Sequence, residues 1–367
     1  MHVAFSDRIP STQPRFPRPL KRPPFPALAS RALWAARFLL SVALLLVALD
    51  WATARWLVTP STAIFSPRFG NIQLPHVRAV QSQEGWSEQW TNSYGFFDRD
   101  LLPVRPRVRA VLLGDSFAEG LQLAQSMNMS AVAERADPGL EVINTAGSGR
   151  FPAHYAAFLG NYLREFKPDV VVIQVNDGDV NELGDPVRLA EVRRELSGRV
   201  KPPSAGWLHQ LLKRSALVKF SSIRLTLLVE RERARLTRKI TGRALLSDID
   251  DTAGPIPPGA QAAGDSVFDV IQRAGPPVVI AYVPHILYFG SPPRVAYPIR
   301  RAFWRDLAKR HRLALVDPTD EMLADYSRTG QPMHGFSNTT IGVGHINERG
   351  HELIGRMIAR AIEESLR

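Results

Sequence analysis

The chain has 367 residues, 45% of them hydrophobic and 22% charged, with 46 Lys and Arg against 35 Asp and Glu for a net charge of +11. It contains no Cys, which excludes a disulfide framework, a thiol nucleophile and a Cys-ligated zinc. The positive charge does not read as a nucleic-acid surface. Residues 1–37 carry seven cations against Asp7 alone, +6 of the +11, and the remaining +5 is spread over the rest of the chain.

In chain order, residues 1–31 are basic and Pro-rich ("STQPRFPRPLKRPPFP") and read as a disordered tail. The run "ALWAARFLLSVALLLVALDW", residues 32–51, has the length and composition of a membrane-spanning helix, with Trp34 and Trp51 near its two interfaces and Arg37 able to snorkel back to the headgroups. The Lys and Arg excess before it assigns the tail to the cytoplasm and everything after Trp51 to the outside. That describes a single-pass protein of the inner (cytoplasmic) membrane with its main domain extracytoplasmic. Phe38–Leu49, the uncharged core, is short enough for a signal peptide, and "ATA" at 52–54 would serve as its cleavage site. The length of the basic segment favours the anchor over cleavage, and a Pro-rich tail gives a buried soluble helix nothing to pack on.

Residues 52–105 read as an irregular lead-in. From 106 to 367 the pattern is strand, helix, strand. "VRAVLLG" (108–114), "LEVINTAGSG" (140–149), "PDVVVIQVND" (168–177), "PPVVIAYVPH" (276–285) and "LALVDP" (313–318) are short apolar runs. Helical stretches such as "AHYAAFLGNYLREF" (153–166) and "RRAFWRDLAKRH" (300–311) separate them. This alternation predicts a three-layer α/β/α sandwich around a five-stranded parallel sheet, with ligands beyond the carboxyl ends of the strands. Residues 183–270 form an insertion: a charge-rich helix at 225–243, read as solvated, then a flexible loop at 250–265.

Ser116, Gly149 and Asn176 all fall just past strand ends. Acyl transfer from an ester needs a nucleophile, a base and donors aimed at the oxyanion. Ser116 offers the hydroxyl and a backbone N–H, Gly149 a bare backbone and Asn176 a side-chain N–H. His345, in "GHINERGHELIG" (344–355), is placed to be the base. The blocks "GDS" (114–116), "SG" (148–149), "ND" (176–177) and "GHIN" with "GH" (344–351), preceded by "TNSYGFFDRD" (91–100), resemble those of SGNH (GDSL-type) hydrolases. The resemblance covers residues 90–365 in order. It implies a flavodoxin-like sandwich, Ser116 as nucleophile, His345 as general base, and an oxyanion hole of Ser116, Gly149 and Asn176. Asp115 and Asp177 are then supporting residues, with no cofactor and no metal.

One position departs from the pattern. Members of that family carry an Asp two or three residues before the base, where this chain has Gly342 and Val343. The imidazole must be oriented by a backbone carbonyl or by a distant carboxylate, Asp317 or Asp320, or the site works as a Ser–His dyad. His351 and His334 are read as structural. "DGDVNE" (177–182) lacks the Gly and Glu of a calcium loop. Phe336 and Asn338 are assigned to the pocket mouth. The expected function is a serine esterase acting on O-acyl groups of cell-envelope carbohydrates or lipids. A polysaccharide O-acyltransferase working with a separate membrane acyl-donor protein is one alternative. A non-catalytic envelope scaffold or sugar-binding module is the other.

Overall fold

The apolar run Phe38–Leu49 lies within helix α1 (Pro26–Trp56), whose most apolar stretch has a mean hydropathy of 2.3. Its Leu, Val, Phe and Trp side chains are exposed on every side, as in a helix whose solvent is lipid rather than water. It is long and apolar enough to cross a membrane. The computed structural model describes residues 26–197, 212, 214–241, 255–289 and 292–367. The chain divides after Leu49 into two units, the second running from Asp50 to Arg367.

The lead-in of the second unit is ordered. It forms two antiparallel hairpins, β1 (Ala63–Ser66) with β2 (Gly70–Gln73) and β3 (Arg78–Gln81) with β4 (Ser87–Trp90). Phe69 and Phe96 from this segment are buried in the main core among Tyr155, Tyr162 and Phe166. Arg99 and Arg109 both pair with the fully buried carboxylate of Glu141, which joins the lead-in to the sheet. A buried charge with two cationic partners is costly to break from either side.

The five apolar runs become β5 (Val108–Leu113), β6 (Leu140–Asn144), β7 (Val170–Asn176), β8 (Val278–Val283) and β11 (Ala314–Val316), parallel in the order β11-β8-β7-β5-β6. Helices α2 (Ser116–Glu119) and α3 (Met129–Ala136) follow β5, α4 (Pro152–Phe166) follows β6, and α5 (Asp179–Gly184) and α6 (Pro186–Leu196) follow β7. Next come α7 (Ala216–Thr241) and α8 (Ala260–Arg273). A two-residue hairpin, β9 (Ile286–Leu287) with β10 (Arg294–Val295), precedes α9 (Pro298–His311). Helices α10 (Thr319–Thr329) and α11 (Glu348–Ser365) end the chain. Alternate residues of β5 point to opposite faces. Val111 and Leu113 meet α4, α8 and α9, whereas Ala110 and Leu112 meet α3 and α11. The fold is the expected three-layer sandwich.

The insertion differs from its sequence reading in one place. Residues 260–265, expected in a loop, open α8 and bury Ala260 and Gly264 against the core. The segment 242–254 lies outside the described residues.

Candidate active site

Strand β5 ends at Leu113, and the chain turns through Gly114 and Asp115 into α2. A Cβ on Gly114 would stand 2.5 Å from Ala118 Cβ and 2.7 Å from Gln174 Oε1, so only glycine fits this turn. Asp115 caps α2, its Oδ1 accepting from Phe117 N at 2.9 Å. Its Oδ2 accepts from Asn176 Nδ2 at 2.6 Å, and its own N–H donates to Gln174 Oε1 at 3.0 Å. Burial pushes the Asp115 carboxyl above the ordinary Asp range, against the hydrogen bonds it accepts. The cap that could have been the purpose of a hydroxyl here is supplied by Asp115. Ser116 is left pointing elsewhere.

It points at His345. Ser116 Oγ and His345 Nε2 are 2.8 Å apart. The other ring nitrogen, Nδ1, lies 2.5 Å from Glu84 Oε2, and the His345 backbone N–H donates to Glu84 Oε1 at 2.8 Å. Both carboxylate oxygens of Glu84 are thus spent on one histidine. Gly344 permits the approach: its φ is +93°, and a Cβ there would sit 2.2 Å from Glu84 Oε1. Burial lowers the affinity of the His345 ring for a proton. The hydrogen bond and charge of Glu84, with Asp115 and Glu119 farther off, outweigh it, and the net shift is upward from 6.5.

Glu84 sits in the turn of the β3–β4 hairpin, in the segment whose sequence read as irregular. Three hydrogen bonds from Asn338 hold that turn: Gly85 N to its Oδ1 at 2.8 Å, and its Nδ2 to Gly85 O at 2.8 Å and Ser82 O at 3.2 Å. Asn338 is therefore a clamp on the Glu84 turn, and Phe336 is buried beneath Gly85 rather than set at a pocket mouth. Asp317 and Asp320 do not reach the imidazole. They pair with Arg301 at 2.8 and 3.0 Å. The expectation that one of them orients His345 is corrected by the geometry of Glu84.

The remaining expected residues divide. Asn176 is joined to the serine turn through Asp115, and its Oδ1 accepts from Gly178 N at 2.5 Å, so one Nδ2 hydrogen is left for another acceptor. Asp177, fully buried, accepts from Tyr282 Oη at 2.6 Å and from His285 at its N–H (2.9 Å) and Nδ1 (2.9 Å), fixing the loop after β8. Gly149 has φ +78° and open space around it, but it lines a neighbouring cavity with Arg150 and Arg188. Its neighbour Ser148, bonded to the buried Glu119 carboxylate, lines the cavity of Ser116. His334 and His351 are fully buried and pushed down to about 3 by desolvation, hence neutral. Their ring nitrogens serve Tyr288 and the Met129 N–H.

Two cavities meet at His345. One, about 290 Å³, is lined by Ser116, Ser148, Gln122, Lys219 and the stretch Val58–Thr62. The other, about 340 Å³, is apolar, walled by Phe117, Ile286, Tyr288, Phe289 and Val343 with His285 among them. A larger depression of about 430 Å³ between α3 and α11 is remote from Ser116.

No protein-family model matches the chain, and no curated protein matches it. Among solved structures, it is similar to the crystal structure of TesA, with 16% identity and a TM-score of 0.37 over 70% of this chain and 98% of that one. It is similar to a catalytic mutant of Axe2, an acetylxylan esterase from Geobacillus stearothermophilus, at 12% identity and TM-score 0.37 over 71% of this chain and 96% of that one. A G-D-S-L family lipolytic protein from Desulfitobacterium hafniense gives 12% and 0.35 over 69% and 99%. At such identities and scores, the roles of individual residues do not transfer from those proteins to this chain.

Proposed function

We propose that the protein is a membrane-anchored serine esterase, with its catalytic domain outside the cytoplasmic membrane, acting on O-acyl esters of envelope carbohydrates or lipids. The observation that carries the reading is the unbroken hydrogen-bonded series Ser116 Oγ, His345 Nε2, His345 Nδ1, Glu84 Oε2. A hydroxyl within 2.8 Å of a ring nitrogen, whose other nitrogen faces a carboxylate, is the arrangement that makes an alcohol a nucleophile at neutral pH.

In this reading His345 Nε2 takes the Ser116 proton as Oγ attacks the ester carbonyl. Glu84 holds the proton of Nδ1 and stabilises the imidazolium. The carbonyl oxygen, now negative, is met by the Ser116 N–H and the free Nδ2 hydrogen of Asn176, while Gly149, which lines the adjoining cavity, takes no part in this step. His345 returns its proton to the departing alkoxide, leaving an acyl group on Ser116. Water, deprotonated by the same imidazole, then releases the acid. Were a glycan hydroxyl to take the place of water, the same residues would transfer the acyl group, with a separate membrane protein supplying the donor. Glu84 at His345 speaks for turnover over a scaffold role.

The test is labelling with a fluorophosphonate and turnover of p-nitrophenyl esters by the full chain in detergent. Wild type should label and turn over, and Ser116→Ala should do neither. Equal labelling of the two would refute the assignment. Release of acyl groups into water, rather than onto an added glycan, separates hydrolase from transferase.

A further inference from the structure

Asp50 is the first residue past the uncharged run of α1, and its side chain is engaged by α7. Asp50 Oδ1 accepts from Ser215 Oγ at 2.6 Å and from Leu217 N at 2.9 Å, so the residue that follows the span caps the N-terminus of α7. The first two turns of α7 dock on the domain: Ala216 is fully buried, and Lys219, Phe220 and Ile223 are half-buried. Arg224 to Val229 are exposed. Leu225, Leu228 and Val229 are 64%, 58% and 57% exposed.

Apolar residues recur at Val218, Leu225, Val229, Leu236 and Ile240. At 3.6 residues per turn Val218, Leu225 and Val229 fall within roughly 40° of one another, on the side opposite the docked residues. Residues 216–241 carry seven cations against two Glu. The exposure of Arg224 to Val229 agrees with the solvated face that the charge pattern predicts, and Leu225 and Val229 add an apolar stripe to it.

We propose that α7 is a second membrane contact, lying on the lipid surface with the Val218–Leu225–Val229 stripe in the acyl boundary and its cations against anionic headgroups. Lipid is the occupant because α7 begins at Asp50, the residue that directly follows the apolar run in the chain, and because a basic helix with an apolar stripe suits an anionic interface. A consequence follows for the active site, and it rests on the esterase reading above. The Ser116 cavity is walled by Lys219 of α7 and by Val58–Thr62, two to six residues after the end of α1. Counted from Asp50, six helical residues at about 1.5 Å each and six more at about 3.4 Å each put that wall within roughly 30 Å of chain of the interface. The ester it takes is one borne at the membrane surface.

The chain has no Cys, so single labels are clean. Full-length Leu225→Cys and Val229→Cys carrying bimane, reconstituted in phosphatidylcholine–phosphatidylglycerol vesicles, should be quenched by doxyl-labelled lipid as strongly as Leu46→Cys in α1. Asp269→Cys on α8 should not be quenched. Quenching at 225 and 229 no greater than at 269 would overturn the proposal and leave the stripe to a protein partner. Quenching that persists unchanged in phosphatidylcholine alone would overturn its anionic component. The combined variant Leu225→Asp, Leu228→Asp, Val229→Asp should keep its turnover of soluble p-nitrophenyl acetate. It should lose about tenfold or more on a vesicle-borne ester, since apolar side chains withdrawn from lipid weaken membrane binding. Equal rates on the vesicle ester would refute the substrate inference. Failure of wild type on every ester would count against the esterase reading, while the quenching result would still decide the membrane contact.

Discussion

Replacing Glu84 by Gln changes one oxygen to an NH₂ at nearly constant shape, and both orientations of the amide fail. Glu84 accepts twice, from the His345 backbone N–H at 2.8 Å and from Nδ1 at 2.5 Å. If the Gln oxygen stays on the backbone N–H, its NH₂ faces Nδ1 and donates to it. The ring proton then resides on Nε2, 2.8 Å from Ser116 Oγ, and the imidazole cannot take the serine's proton. If the amide flips, two donors oppose each other at the backbone. Loss of both the correct tautomer and the charge that stabilises the imidazolium has an expected cost of about 10⁴ in kcat, or roughly 5.5 kcal/mol. The assay is kcat on a p-nitrophenyl ester, with a thermal melt to show that the fold survives. Glu84→Gln within about tenfold of wild type would refute the role of Glu84. So would a loss of the same size in KM alone, because the group acts on the transition state and not on ground-state binding.

Val343→Asp, which places a carboxylate where the resembled family keeps one, should not raise turnover, because Nδ1 is already bonded to Glu84; a faster enzyme would show His345 to be under-oriented. Asn338→Ala removes three hydrogen bonds from the Glu84 turn and should destabilise the fold by about 1–3 kcal/mol in denaturant titrations. The same variant should lose up to about 10² in kcat as the carboxylate drifts, and an unchanged kcat would show that the turn holds itself. His345 must be neutral to act as base, and its pKa lies above 6.5, so kcat/KM should rise with pH through an acid limb above that value. The charged pair stabilises the fold fully below the unfolded-state pKa, and that contribution should fade as pH rises through the folded one. In Glu84→Gln the limb should move to lower pH; a limb that stays put would assign it to another group.

Much of the site could be read from the chain because its parts sit where local rules place them. Gly114, Asp115 and Ser116 close an apolar run, Asn176 closes another, and parallel strands carry such ends to one edge. Glu84 was hidden for a physical reason. Its hairpin consists of strands of four residues, Arg78–Gln81 and Ser87–Trp90, too short for alternation to register, and it is 261 residues from the histidine it serves. The one local trace is Gly344, a left-handed glycine with no room for a Cβ against Glu84, and a lone Gly before a His carries no such message by itself.

The sequence by itself determined the sheet and the apolar N-terminal helix, because burial period and chain order are local properties; the pairing of Ser116 with His345 was legible only through the resemblance of the chain's blocks to a known family. Only the tertiary structure decided which carboxylate faces the imidazole. Asp317 and Asp320 went to Arg301, whose guanidinium lies nearer, and Glu84 was delivered by a hairpin buried through Phe69 and Phe96 in the aromatic core. It likewise decided that Gly149 lines the cavity next to that of Ser116 and that α7 begins at Asp50 with its leucines uncovered. Contacts of that kind depend on how elements distant in sequence pack together. No window of sequence contains both partners.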